Sequence, residues 1–267
     1  MNPIRHPVKG ANLAVYEEGE GPPFVFQHGL CGDQAQPGQV FPAAAGFRRI
    51  TVECRGHGAS DAGPKAAFSI ATFVDDIAGY LEAQGAGRAV VGGISMGAAI
   101  ALRLAVRRPE RVRALVIARP AWICAANPEN MAPNRIAGEL LDRYPPQEAR
   151  RQYEALPLAK ELERDAPDNL ASIRGFFTRE PIDVTAALLR AISMDGPDVT
   201  EAEVSAIAVP TLVIGHGRDF VHPLGHARSL ATMIPGARLV EIKPKADDAD
   251  AYRADFRAAL SAFLKEL

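Results

Sequence analysis

Six short apolar runs, separated by segments of helical spacing, constrain this chain more than any other feature. They are Phe24 to Gln27, Ile50 to Glu53, Ala89 to Gly92, Ala114 to Ile117, Thr211 to Ile214 and Leu239 to Ile242. Continuous apolar runs of this kind suit parallel strands covered on both faces. Between them, Phe73, Ile77, Tyr80 and Leu81 recur at helical spacing over 70–84, and Ala98 to Val106 forms an apolar helix. Tyr252, Phe256, Leu260 and Phe263 mark a C-terminal helix. Strands alternating with helices predict an α/β fold: a mostly parallel central sheet of about eight strands with helices on both faces. Residues 7–20 are expected to add an antiparallel hairpin at the sheet edge.

The rhythm breaks between Pro120 and about Ser205, where no run reads as a strand. Leu140 and Leu141, then Leu170, Ile173, Phe176 and Phe177, then Val184, Leu188 and Ile192 recur at helical spacing. Pro133, Pro145, Pro157, Pro167, Pro181 and Pro197 divide the stretch into short helices. The expected organisation is a core of residues 1–119 and 206–267, with a helical cap inserted at 120–205.

A chain of 267 residues is long enough for such a core without disulfides or metal. Lys and Arg number 30 against 32 Asp and Glu, for a net charge of −2. That balance argues against nucleic acid as an obligate partner. No apolar run approaches the ~20 residues of a membrane span. Met1 to Gly10 lacks the apolar centre of a signal peptide. Cys31, Cys54 and Cys124 are odd in number and widely spaced, as expected of thiols in a reducing cytoplasm. No ligand cluster or dinucleotide fingerprint implies a cofactor. The expected partner is a small-molecule substrate or ligand, with self-association left open.

Gly93-Ile94-Ser95-Met96-Gly97 lies between a predicted strand and an Ala-rich helix. This is the G-x-S-x-G pattern of a nucleophile elbow, in which a serine sits on a strained turn and the glycines let strand and helix approach closely. The helix N-terminus behind Ser95 offers backbone N–H groups to a developing oxyanion.

With this elbow in place, the chain resembles the capped group of the α/β-hydrolase fold superfamily. Three further stretches carry the likeness. Gln27-His28-Gly29-Leu30-Cys31-Gly32 resembles the family's His-Gly oxyanion loop. Glu53-Cys54-Arg55-Gly56-His57-Gly58-Ala59-Ser60 resembles its D-x-R-G-x-G-x-S stretch, with Glu53 in place of Asp. The turn from Gly215 through Asp219 to Pro223 resembles its G-x-x-D-x-x-x-P acid turn.

The resemblance implies Ser95 as nucleophile, the Leu30 and Met96 amides as oxyanion hole, and Asp219 as the acid orienting a base. His57 is expected to tie loops together, and Cys31 to be a small buried apolar residue. The family's histidine after the last strand is missing, because the matching position falls at or near Asp247. A serine hydroxyl needs a base. His222, three residues after Asp219, is the first candidate; His226 and Lys245 are the others.

Arg119 could grip a substrate carboxylate or pair with a cap residue. His28 is expected beside substrate, and Trp122, Phe176 and Phe177 line an apolar pocket or pack within the cap. Three functions stay open. One is hydrolysis of a small ester or similar acyl bond, or of a C–C bond, with an atypical triad. The second is a non-hydrolytic lyase or isomerase using the oxyanion hole. The third is a ligand-binding protein without turnover.

Overall fold

The computed structural model describes residues 2–42 and 46–267. Eight strands form one sheet: β1 (Ile4–Val8), β2 (Ala11–Glu18), β3 (Pro23–Gln27), β4 (Arg48–Val52), β5 (Ala89–Ile94), β6 (Val112–Ala118), β7 (Thr211–Gly215) and β8 (Arg238–Glu241). Their spatial order is β1-β2-β4-β3-β5-β6-β7-β8. The expected hairpin is β1 with β2, antiparallel to each other, and β2 pairs antiparallel with β4. All remaining pairs are parallel.

Helices cover both faces. The core helices are α1 (Ala35–Val40), α2 (Ile70–Ala83) and α3 (Met96–Arg107). Between β6 and β7 the chain forms α4 (Ala132–Arg143), α5 (Pro146–Glu154), α6 (Pro157–Asp165), α7 (Pro167–Phe176), α8 (Ile182–Met194) and α9 (Glu201–Ser205). The chain then adds α10 (Leu224–Met233) and α11 (Ala249–Leu264). The Ser69 hydroxyl caps α2 by accepting from Thr72 N, and α2 buries Phe73, Ile77, Tyr80 and Leu81, the stripe its spacing predicts. The helices α4 to α7 each carry proline at the first or second position. There the missing N–H costs nothing.

One sheet face packs against α2, α3 and α10 around Phe73, Met96, Leu115 and Leu230. The opposite face packs Phe24, Phe26 and Val116 against Tyr252, Phe256 and Leu260 of α11. The helices between β6 and β7 gather a cluster of their own around Tyr153, Leu162, Phe177 and Leu189. That segment lies over the carboxyl ends of the parallel strands, where open α/β sheets bind ligands.

Candidate active site

β5 ends at Ile94 and α3 begins at Met96, so Ser95 occupies a one-residue turn. Its φ is 58° and its ψ −115°, a conformation rare for a residue with a side chain. The glycines permit the turn. A Cβ on Gly93 would lie 2.3 Å from the Gly97 carbonyl carbon, and one on Gly97 would lie 2.5 Å from the Gln27 carbonyl oxygen. The Ser95 N–H donates to the Ala118 carbonyl at 3.0 Å, which pins the elbow to the end of β6. Cys31, Arg119 and Arg218 also have positive φ, so backbone strain gathers in the loops around the serine.

The loop from β7 to α10 supplies the partners. His222 Nε2 is 2.8 Å from Ser95 Oγ, and His222 Nδ1 is 2.9 Å from Asp219 Oδ1. With its Nδ1 proton donated to Asp219, the ring presents Nε2 as acceptor for the serine hydroxyl. The backbone N–H of His222 donates to Asp219 Oδ1 at 3.0 Å, so one carboxylate fixes both the ring and its backbone. His222 lies three residues after Asp219 and reaches Ser95 from the acid's own loop.

Asp219 is almost fully enclosed, its side chain 1% exposed. Burial acts to raise its pKa, but the Arg119 guanidinium and His222 outweigh that and hold it well below the ordinary carboxylate range. Arg119 donates from Nε at 2.9 Å and from Nη2 at 2.7 Å to Asp219 Oδ2. Burial, opposed by Asp219 and reinforced by Arg119, lowers the His222 pKa below the ordinary histidine value. The imidazole is therefore neutral near pH 7, the state that can accept a proton.

Sequence reasoning missed the residue that locks this loop from above. Asn169, on α7 and 4% exposed, donates from Nδ2 to Asp219 Oδ1 at 2.9 Å. Its Oδ1 accepts from Phe220 N at 2.7 Å and Val221 N at 3.0 Å. The one local signal is an Asn adjoining Leu170 and Ile173, which places it beside the buried stripe of its helix.

Leu30 follows β3 in a loop held from several sides. The Gly29 N–H donates to Gln36 Oε1 at 2.6 Å, and the Cys31 N–H donates to His57 Nε2 at 3.0 Å. His28 Nε2 accepts from Cys54 N at 3.1 Å. Burial pushes His28 down to about 4 and His57 well below its usual value, so both rings stay neutral acceptors. Arg179, just beyond α7, donates to the Cys31 and Gly56 carbonyls. The Leu30 and Met96 N–H groups have no protein acceptor among the described residues. Leu30 lines a cavity of about 220 Å³ together with Ser95 and His222, and Met96 directly follows Ser95 in the chain.

Several expected residues fall elsewhere. His28 is fully buried and spends its ring on Cys54 and Gly29, so it cannot bind substrate. Trp122 is 2% exposed and donates from Nε1 to the Asp195 carbonyl at 2.8 Å, within the core rather than the cavity wall. Arg119 does reach the cavity, but Asp219 occupies its fork, and Asp168 of α7 stands 3.6 Å from it. It is an anchor for the acid, not a free carboxylate receptor. Phe176 lines the cavity, whereas Phe177 packs with Tyr153. His226 is absent from the cavity wall. Lys245 reaches the wall, but its Nζ is 2.7 Å from Asp168 Oδ1. Burial pushes the Cys31 thiol up to about 12, in keeping with a small apolar residue.

At the family's histidine position, Asp248 instead caps α11 by accepting from Asp250 N and Ala251 N, while Asp247 pairs with Arg218. These acidic residues serve the helix start and the loop, and the base has no place there.

The family profile of the alpha/beta hydrolase fold matches residues 22–248. The chain therefore belongs to the α/β-hydrolase fold family, and its class is that of an α/β-fold hydrolase. A 2-hydroxymuconate semialdehyde hydrolase of Pseudomonas putida is 31% identical over 243 residues, covering 86% of this chain and 82% of that protein. The crystal structure of an enol-lactonase from Burkholderia xenovorans superposes with a TM-score of 0.72 at 27% identity, over 97% of this chain and 100% of that one. An esterase from Exiguobacterium antarcticum shares the fold with a TM-score of 0.75 at 20% identity, over 99% of this chain and 100% of that one.

Proposed function

We propose that the protein is a serine hydrolase of small esters or lactones in which the base has moved onto the loop of the acid. The observation that carries this reading is the unbroken line Ser95 Oγ to His222 Nε2 at 2.8 Å and His222 Nδ1 to Asp219 at 2.9 Å. The likeness to an enol-lactonase supports an ester or lactone carbonyl, since a lactone is an internal ester.

In this mechanism Ser95 Oγ attacks the carbonyl carbon as its proton passes to His222 Nε2. The electron pair of the carbonyl moves to oxygen, where the Leu30 and Met96 amides receive the negative charge. Asp219 stabilises the imidazolium and remains ionised itself. Collapse expels the alcohol, which takes the proton from His222. Water then attacks the acyl-serine with His222 again as base, and the acid leaves. The helical segment 120–205 acts as the cap over this site. The free thiols Cys31, Cys54 and Cys124 suit a reducing compartment, and the cytoplasm is the proposed location.

A lyase or binding role drew its support from the missing histidine, and His222 at Ser95 removes that support. The test is turnover of small methyl esters and lactones by wild type and Ser95→Ala. The proposal expects wild-type hydrolysis and a loss of at least about 10⁴-fold in kcat for the variant. Retained hydrolysis in folded Ser95→Ala overturns it.

A further inference from the structure

The cavity wall holds polar groups that the triad does not use. Asn134, on α4, is 6% exposed and lines the same cavity as Ser95 and His222. Its side-chain amide has no hydrogen-bond partner among the described residues. Gln36 spends its Oε1 on the Gly29 N–H and keeps its Nε2 donors uncommitted at the same wall. An amide open to a cavity loses its water when a ligand enters, so the ligand that fits best is one that replaces those hydrogen bonds.

The charges of the wall are already matched. Arg119 is engaged by Asp219 and Lys245 by Asp168. An anionic substrate would compete with carboxylates already held by these cations, whereas an uncharged one meets them as they stand. The cavity, about 220 Å³, is also below the roughly 300–1,000 Å³ of a drug-sized site. Leu30, Ile94, Phe176 and Val221 share the wall with these polar groups, so the cavity suits a small acyl part of mixed character.

We propose that the substrate is a small, uncharged ester or lactone whose acyl part carries a hydroxyl, oxo or amide group, and that Asn134 recognises this group. This rests on the serine-hydrolase reading and deepens it. Asn134 can donate and accept, so it pairs with a hydroxyl or a carbonyl alike. An apolar acyl group would bury its amide unpaired, which is how a polar site rejects an analogue lacking the matching group.

The test compares kcat/KM for methyl lactate against methyl propionate, and methyl 3-hydroxybutyrate against methyl butyrate, in wild type and Asn134→Leu. Intrinsic ester reactivity cancels when each ratio is compared between the two proteins. The hydroxylated ester is expected to lose about tenfold or more of its advantage in the variant for at least one pair. Asn134→Ala, read in the same way, serves if the leucine variant does not fold. Monomethyl succinate is expected to be a poorer substrate for wild type than methyl 3-hydroxybutyrate. Unchanged ratios, or a preference for monomethyl succinate, overturn the proposal while fluorophosphonate labelling of wild-type Ser95 leaves the hydrolase reading standing. Neither labelling nor turnover of any ester overturns both.

Discussion

His222 Nδ1 and the Asp219 carboxylate meet at 2.9 Å across only three residues of one loop. A base brought in from a second loop after β8 would depend on two independent segments keeping register. Here one short loop carries both groups, so its rigidity sets the geometry at Ser95. The clamps on that loop explain how it is held. Arg119 grips Asp219 from the end of β6, and Asn169 grips the same carboxylate and two backbone amides from α7.

Asn169 is thus a positioning residue under the proposed mechanism. Asn169→Ala removes one donor to Asp219 and leaves the Phe220 and Val221 N–H groups unpaired, at a cost of about 1–3 kcal/mol in stability. A fall of about 10- to 100-fold in kcat is expected with KM little changed, because a misplaced base weakens the transition state more than binding. Asn169→Asp is expected to be worse, since it sets a second carboxylate against Asp219. Steady-state kinetics beside thermal melts separate loss of alignment from loss of fold, and equal kcat in all three proteins would remove the role.

The pH profile should report a histidine shifted downward. The base must be neutral, and burial lowers the His222 pKa in the fold. Activity is therefore expected to rise with pH through a midpoint below about 6.5 and then to hold level into neutral pH. In Arg119→Met the loss of a neighbouring cation moves that midpoint upward. A wild-type midpoint above 7 would contradict the neutral, buried imidazole.

Arg119→Met also leaves Asp219 charged and buried without its strongest partner. Removing one member of such a pair costs about 3–5 kcal/mol. A large fall in the melting temperature at neutral pH is the expected result, and a variant as stable as wild type would show that His222 and Asn169 alone compensate the carboxylate.

His28 should link stability to pH. Its pKa falls from the ordinary 6.5 to about 4 in the fold because the ring is fully buried. Below pH 6.5 the unfolded chain takes up a proton that the folded chain refuses, so stability declines as pH drops from 6.5 to about 4, where the decline from this group ends. The shift corresponds to about 3 kcal/mol across that window. Denaturant titrations of wild type and His28→Asn should show a shallower decline in the variant; parallel curves would place the acid sensitivity elsewhere.

Much of this was legible in the chain itself. The six apolar runs and the Gly93 to Gly97 turn act through local spacing, and each appears as a strand or as the elbow. The place of His222 between Ser95 and Asp219 was legible because a serine nucleophile would need a base near Asp219 and few histidines were available. Trp122 and His28 were misplaced because exposure to a cavity depends on packing between distant segments. Trp122 turns into the core to meet the Asp195 carbonyl, 73 residues away. Arg119 was half legible: the strand end placed it at the site, but only the fold shows that Asp219, 100 residues on, takes its fork. Asn169 and Asn134 lie in helices whose apolar spacing was read correctly, yet nothing in a helical repeat says which polar neighbour will face a cavity.

The most direct test of the relocated base is labelling with a fluorophosphonate probe, followed by intact mass, on wild type, Ser95→Ala and His222→Ala. One label on wild type is expected, with none on Ser95→Ala and a rate lower by about 10³-fold or more on folded His222→Ala. Labelling of His222→Ala at the wild-type rate would contradict His222 as the base. A wild type that stays unlabelled, where a control serine hydrolase reacts, would contradict an activated Ser95 altogether.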